Sequence, residues 1–244
     1  MLLIDRPWVI GHRGDATHAP ENTLPAFAAA LEGGAHGVEC DVRLTRDGHV
    51  VVFHDESTQR LLGMPGRIET MTRDLIRAAT FVGHPAGVRV PDLDDVLVLA
   101  EERDAVVLVE LKGEPLVSED LARAVVASVE RTRTADRVGF LSFSHAAVAM
   151  LHELAPAVPC AALFEHAPHP ESIAFHGDAD RHRWVVAAAS AAQAAWTQAL
   201  RERGWTIGCY GVDDEETDAR LDALGIGLRI SDRVEKLLKG RKAA

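Results

Sequence analysis

The run Val106-Val107-Leu108-Val109-Glu110-Leu111-Lys112, followed by Ser118-Glu119-Asp120-Leu121-Ala122 and then by Val138-Gly139-Phe140-Leu141-Ser142-Phe143, decides the fold class. The first stretch is apolar almost throughout. It predicts a strand covered on both faces, since a strand with one wet face would alternate. The second stretch opens a helix over 118–131. Ser118 is a good N-cap, and Glu119 and Asp120 place negative charge at the positive end of the helix dipole. The third stretch is another buried strand. Two such strands joined through a helix form a parallel β-α-β unit.

The same unit recurs in both directions. Strands are predicted at 8–10, 37–44, 106–111, 138–143, 160–164, 184–186, 206–210 and 228–231. Helices are predicted from Asn22 or Thr23, with Pro25 in the first turn, to Gly33, and then at 93–103, 118–131, 146–154, 191–203, 215–224 and 234–238. Residues 48–54 read as a hairpin partner of 37–44 through the turn Arg46-Asp47-Gly48. The segment 165–182 reads as a loop. The segment 57–92 is the least regular, with a helix after Thr72. About eight β→α steps in 244 residues fit a closed (β/α)8 TIM barrel with a small insertion after the second strand, in one domain over 1–244. An open doubly wound sheet would want a glycine-rich phosphate loop after the first strand, and none is present.

Composition narrows the function. The net charge of -11 argues against a nucleic-acid partner, and means that an anionic substrate would need local cations to reverse the field at its site. Cys40, Cys160 and Cys209 are widely spaced, which gives neither a thiolate zinc site nor a disulfide framework and fits a reducing compartment. Met1 to Arg6 is too short and too quickly charged for a signal peptide, and no apolar run reaches the roughly 20 residues of a membrane span. The expectation is a soluble cytoplasmic protein without a membrane anchor.

The chemistry falls at the C-terminal ends of strands, which in an α/β barrel form the active-site face. His12 and Arg13 follow the first strand in Gly11-His12-Arg13-Gly14. Glu39 and Asp41 lie two apart in the second strand and so share a face, with Cys40 turned towards the helices. Glu110 and Lys112 share a face in the same way. Clustered carboxylates repel unless a cation joins them, and oxygen ligands favour a hard divalent ion, Mg²⁺ or Ca²⁺, with Mn²⁺ as a further candidate. An ordinary set of salt-bridged acids, or a carboxylate pair for glycoside cleavage, would use the same acids. The glycosidase reading leaves His12 and His54 without a task. Each of these histidines ends an apolar run, and two histidines flanking a phosphorus centre can divide proton transfer between them. The remaining histidines, of twelve in all, read as surface or core. Arg13 offers a fork for phosphate oxygens and Lys112 a point charge, although either could serve as a salt-bridge partner. Glu21-Asn22-Thr23 reads first as a helix cap.

Gly11-His12-Arg13-Gly14, Pro20-Glu21-Asn22-Thr23, Glu39-Cys40-Asp41-Val42, Thr45-Arg46-Asp47-Gly48, Val51-Val52-Phe53-His54-Asp55 and Glu110-Leu111-Lys112 resemble, in this order, the glycerophosphodiester phosphodiesterases. The likeness extends to Ile230-Ser231-Asp232-Arg233. The resemblance implies a (β/α)8 barrel with a small insertion, a divalent metal on Glu39, Asp41 and Glu110, His12 and His54 as the acid/base pair, and Arg13 and Lys112 holding the phosphate. It implies hydrolysis of a small-molecule glycerophosphodiester to sn-glycerol 3-phosphate and an alcohol. Where many members carry a Trp-Thr-Val-Asn-like stretch, this chain reads Cys209-Tyr210-Gly211-Val212-Asp213. Tyr210 then becomes a candidate wall of the glycerol pocket, or plain packing at the barrel mouth.

Two other readings use the same barrel. A lysophospholipase D-type enzyme would need an apolar groove near the mouth, for which 57–92 offers Leu61, Leu62, Met64 and Phe81. A non-catalytic phosphodiester-binding barrel would be free to lose a histidine or an acid, yet the whole set is present.

Overall fold

The computed structural model describes residues 8–113, 117–169 and 183–243. Eight parallel strands close into a barrel: β1 (Trp8–His12), β2 (Gly37–Leu44), β4 (Val106–Leu111), β5 (Val138–Ser142), β6 (Cys160–Phe164), β7 (Trp184–Ala188), β8 (Thr206–Tyr210) and β9 (Leu228–Ser231). Closure comes from β1, which pairs with β2 on one side and β9 on the other. The extra strand β3 (Val50–Val52) runs antiparallel to β2, the hairpin expected from the turn at Gly48.

Helices α1 (Leu24–Glu32), α4 (Leu93–Glu102), α5 (Glu119–Thr132), α6 (His145–Leu154), α7 (Ala194–Glu202), α8 (Glu215–Ala223) and α9 (Val234–Ala243) pack outside the barrel. Their starts follow from their caps. The side chains of Thr23, Ser118, Ser144 and Asp214 each accept a first-turn backbone N–H. The helix expected from residue 191 begins at Ala194 instead, because Ala189–Ala191 forms a 3-10 turn first. Residues 165–169 form no helix or strand; the rest of the loop expected over 165–182, and the segment Met1 to Arg6, lie outside the described residues.

The near-continuous burial of the strands has two destinations, because successive side chains point to opposite faces. One set fills the barrel interior, with Ile10, Leu108, Leu141, Trp184, Val186 and Ile230 among it. The other faces the helices, and Val38, Cys40 and Val42 of β2 belong to it. Cys40 therefore points outward, as its position between Glu39 and Asp41 requires.

The segment between β3 and α4 carries α2 (Gln59–Leu62), a 3-10 turn at Ile68–Thr70 and α3 (Arg73–Ala78). It has a small core of its own, in which Leu62, Ile68, Met71, Ile76 and Phe81 pack on Val51 and Phe53 of the hairpin. Leu61 and Met64 pack against this core. Of the four apolar residues expected to line a groove, Leu62 and Phe81 are buried in this core, while Leu61 and Met64 pack on it and stay partly exposed.

Gly37 sets the approach of β2 to β4. It pairs with Val106, and a Cβ at Gly37 would lie 2.3 Å from the Val106 carbonyl oxygen. Neither backbone can yield without disturbing the register that carries Asp41 and Glu110. Gly37→Ala is therefore expected to destabilise the fold by about 1–3 kcal/mol, measured as a shift in the denaturant midpoint.

Candidate active site

The register of β2 assembles the acidic centre. Glu39 is opposite His12 on β1, and Asp41 is opposite Glu110 on β4. Glu39, Asp41 and Glu110 are all buried, and a carboxylate oxygen from each lies within 4.8 Å of the other two. Two cations adjoin this group. Lys112 Nζ donates to Glu110 Oε1 at 2.5 Å and lies 3.3 Å from Asp41 Oδ1. Arg13 Nε lies 3.1 Å from Asp41 Oδ2. Asn22 also grips Asp41, donating from Nδ2 to Oδ2 at 2.8 Å and accepting the Asp41 backbone N–H on Oδ1 at 3.2 Å.

The two central acids respond differently to this environment. Burial alone would raise both. At Asp41 the charges of Lys112 and Arg13 outweigh it and hold the carboxyl below its usual range. Glu39 is pushed up to about 8, by burial first and then by the Asp41 charge. Its Oε1 is buried without a hydrogen-bond partner, while Oε2 accepts the Arg13 backbone N–H at 3.2 Å. A hard divalent cation fits this donor set: three close carboxylates with an unsatisfied oxygen are the ligands such an ion takes.

The histidines flank the acids. His12 Nδ1 is 2.7 Å from Asp232 Oδ1, and His54 Nδ1 is 2.9 Å from Asp55 Oδ1. An ionised carboxylate only accepts, so Nδ1 carries the proton in both rings and Nε2 is left for other work. His12 Nε2 lies 3.9 Å from Glu39 Oε2. Burial would lower the pKa of His12, but the Asp232 hydrogen bond and the Glu39 charge raise it to about 9. His54 moves the other way. Burial lowers its pKa, and the charges of Asp41 and Asp55 do not restore it against Lys112 and Arg13.

All the residues expected at the site from sequence lie at the C-terminal face. Tyr210 ends β8, where its ring meets Phe143 edge-on at 6.2 Å and its hydroxyl donates to the Phe164 carbonyl at 3.4 Å. Lys112 Nζ is 5.9 Å from the centre of the same Phe143 ring. Tyr210 is therefore joined to Lys112 of the acidic centre through the Phe143 ring.

Sequence reasoning missed several members of the site. Asn22 is not a cap, a task that Thr23 performs. Asn22 and Arg13 both adopt positive φ, 59° and 54°, a region that Asn tolerates and Arg rarely enters. Asp232, 220 positions from His12, reaches it because β9 pairs with β1. Asp213 Oδ1 accepts the Asp232 backbone N–H at 2.8 Å and the Ser231 hydroxyl at 3.1 Å, fixing that turn. The available signal for Asp232 was a strand followed by a charged pair, Asp232-Arg233, as His12-Arg13 ends β1.

The sequence model of the glycerophosphoryl diester phosphodiesterase family matches residues 12–236. The chain belongs to this family. A glycerophosphodiester phosphodiesterase of Caldanaerobacter subterraneus is 34% identical over 161 residues, covering 64% of this chain and 66% of that protein. One of Bacillus altitudinis is 34% identical over 160 residues, covering 64% of this chain and 65% of that protein. The matched region thus spans just under two thirds of these relatives' length. Among solved structures, an Oleispira antarctica phosphodiesterase in complex with the product sn-glycerol-3-phosphate shares the fold, with a TM-score of 0.87 at 22% identity over 97% of each chain. A glycerophosphodiester phosphodiesterase from Agrobacterium tumefaciens has a TM-score of 0.80 at 25% identity over 96% of this chain and 99% of that one.

The raised Glu39 pKa fixes a pH dependence of the cation-free protein. A carboxyl whose folded pKa lies above its unfolded value costs nothing below the unfolded value, and destabilises increasingly as pH rises towards the folded one. Thermal melts of chelated protein should therefore show stability falling between pH 4.5 and about 8. His12, raised from 6.5 to about 9, adds a slope of the same sign over its own window. Saturating Mg²⁺ or Ca²⁺ should raise the melting temperature most at the alkaline end. Glu39→Gln should flatten the slope and remove most of the cation-induced rise. A melting temperature indifferent to cation at pH 8 would contradict this reading of the acidic centre.

Proposed function

We propose that this chain hydrolyses glycerophosphodiesters to sn-glycerol 3-phosphate and an alcohol, with a divalent cation, Mg²⁺ or Ca²⁺, on Glu39, Asp41 and Glu110. One observation carries the proposal. At one face of the barrel, a trio of carboxylates within 4.8 Å adjoins two histidines, each oriented by a carboxylate, and two cations, Arg13 and Lys112, directed at the same centre. Metal-dependent cleavage of a phosphodiester can use each of these parts. The family of the chain and the product named for its Oleispira structural neighbour support the same substrate class.

When bound, the cation supplies a Lewis acid for a phosphate oxygen. The chain's own residues do the rest. Arg13 and Lys112 orient the phosphate and offset charge on its equatorial oxygens. His54, held neutral near pH 7 by its lowered pKa, accepts the nucleophile's proton on Nε2. His12, raised to about 9 and so protonated, gives its Nε2 proton to the departing alcohol oxygen as the phosphorus–oxygen bond breaks. With the neighbouring glycerol hydroxyl as nucleophile, the product is a cyclic phosphate that water opens. With water as nucleophile, glycerol 3-phosphate forms directly. Quenched single turnovers searched for the cyclic phosphate separate the two routes. Tyr210, beside Phe143, is assigned to the wall of the glycerol pocket. Its free cysteines, all buried, favour a reducing compartment, and we assign the protein to the cytoplasm. No helix among the described residues is long and apolar enough to cross a membrane.

Protein stripped with chelator and supplied with glycerophosphocholine should release glycerol 3-phosphate only when Mg²⁺, Ca²⁺ or Mn²⁺ is returned. His12→Ala and His54→Ala should each lower turnover by roughly 10²–10⁴-fold while the protein remains folded. Absence of release from well-folded protein with any of these cations, or near-full activity of either variant, would overturn the assignment.

A further inference from the structure

Arg60 carries the insertion to the acids and histidines of the site. Arg60 lies on α2, whose backbone is held by the burial of Leu62 in the insertion's core and by the Thr58 hydroxyl donating to the Met64 carbonyl. From there its guanidinium spans two carboxylates at once. Nε donates to Asp55 Oδ2 at 2.6 Å, and Nη2 to Asp55 Oδ1 at 2.8 Å. Nη1 donates to Glu21 Oε2 at 2.9 Å, and Nη2 to Glu21 Oε1 at 2.8 Å. Asp55 Oδ1 is the oxygen that holds His54 Nδ1, and Glu21 Oε1 is the oxygen that accepts from Arg13 Nη1, at 2.9 Å in both cases. A continuous chain of charge-assisted bonds therefore runs Arg13–Glu21–Arg60–Asp55–His54.

We propose that Arg60 is a positioning residue of the hydrolytic site, clamping Glu21 and Asp55 together and through them fixing both Arg13 and His54. The inference rests on the proposed function for what the clamp serves, and on the ion-pair chain for its existence. Stability alone is a poor reason for this side chain. It is half exposed, and exposed ion pairs contribute little to folding. Its neighbours give a better one. A carboxylate oxygen of Glu21, one of Asp55 and a ring nitrogen of His54 lie within 4.8 Å of one another. Without the guanidinium between them, two like charges at that spacing repel, and each carries away the group it holds. Arg13 is already in a disfavoured backbone conformation and depends on such ties to stay in place. A misplacement on the ångström scale is enough to cost a large factor in rate. Lysine would not substitute fully, because a point charge lacks the fork that meets both carboxylates.

The test compares wild-type protein with Arg60→Ala, Arg60→Lys, Glu21→Gln and Asp55→Asn. Cation-loaded protein is assayed with glycerophosphocholine, and cation-free protein is examined by ¹⁵N imidazole spectroscopy. Arg60→Ala should lower kcat by about tenfold or more and raise KM severalfold. Asp55→Asn should act mainly on kcat, and Glu21→Gln mainly on KM. Millimolar guanidinium should restore part of the Arg60→Ala loss, and Arg60→Lys should fall between it and wild type. The His54 ring, an Nδ1–H tautomer in wild type, should become mixed in Arg60→Ala and recover with guanidinium. Values of kcat and KM within about twofold of wild type, with an unchanged His54 spectrum, would overturn the proposal. A melting-temperature loss that accounts for the defect, without guanidinium rescue, would overturn it equally. If wild type hydrolyses no glycerophosphodiester, the functional reading fails, while the His54 spectra still decide whether Arg60 positions that ring.

Discussion

Everything at the mouth of this barrel answers one electrostatic constraint: Glu39, Asp41 and Glu110 are buried within a few ångströms of one another. Three such carboxylates cannot all ionise without compensation. The protein compensates unequally. Lys112, Arg13 and Asn22 converge on Asp41, which stays ionised, whereas Glu39 has a pKa pushed up to about 8; among the described residues, Glu39 Oε1 and Asp41 Oδ1 both lack a hydrogen-bond partner. The imbalance leaves a place where a cation would lower the energy of the folded state. A site arranged in this way costs stability in the cation-free protein, which is the usual relation between a binding centre and the fold that carries it.

The barrel makes the constraint possible. Parallel strands place residues of equal height side by side, so Asp41 meets Glu110 and His12 meets Glu39 without any contribution from loops. Closure then brings the last strand against the first, and Ser231 pairs with Gly11. Asp232, one residue beyond, falls beside His12. The hairpin strand β3 does for His54 what closure does for Asp232. It carries the chain back along β2 and, with the Phe53 N–H donating to the Asp41 carbonyl at 2.8 Å, sets His54 near the acids. The site is thus built on strand ends, which hold side chains more precisely than long loops do.

This division explains what could be read in the sequence. The alternation of apolar strands with capped helices exposed the barrel, and the two-residue spacing of Glu39 and Asp41 exposed their common face. Both are local patterns with a fixed period. Asn22 was hidden by its neighbour: an Asn-Thr pair before a proline-led helix has an obvious use as a cap, and only the structure shows that Thr23 takes that role and frees Asn22 for Asp41. Asp232 and Arg60 were hidden by distance. Their partners are set by barrel closure and by the path of an irregular insertion, neither of which leaves a periodic trace. The segment 57–92 read as irregular for the same reason, since its apolar residues converge only in the folded insertion.

The two histidines show how far environment, rather than residue type, sets chemistry. Both are partly buried, both hold Nδ1 against a carboxylate, and burial lowers both. They part because of what else they see. His12 holds Asp232 and also faces Glu39, and these two carboxyl groups together outweigh the opposing charge of Arg13. His54 has the charge of Asp41 in its favour but lies within reach of both Lys112 and Arg13, and its carboxylate partner is shared with Arg60. One ring is thereby left cationic and the other neutral near pH 7, the pairing that a displacement needing both a proton donor and a proton acceptor calls for. The cations that keep Asp41 ionised also keep His54 deprotonated, so the arrangement that prepares the acidic centre also separates the two histidines.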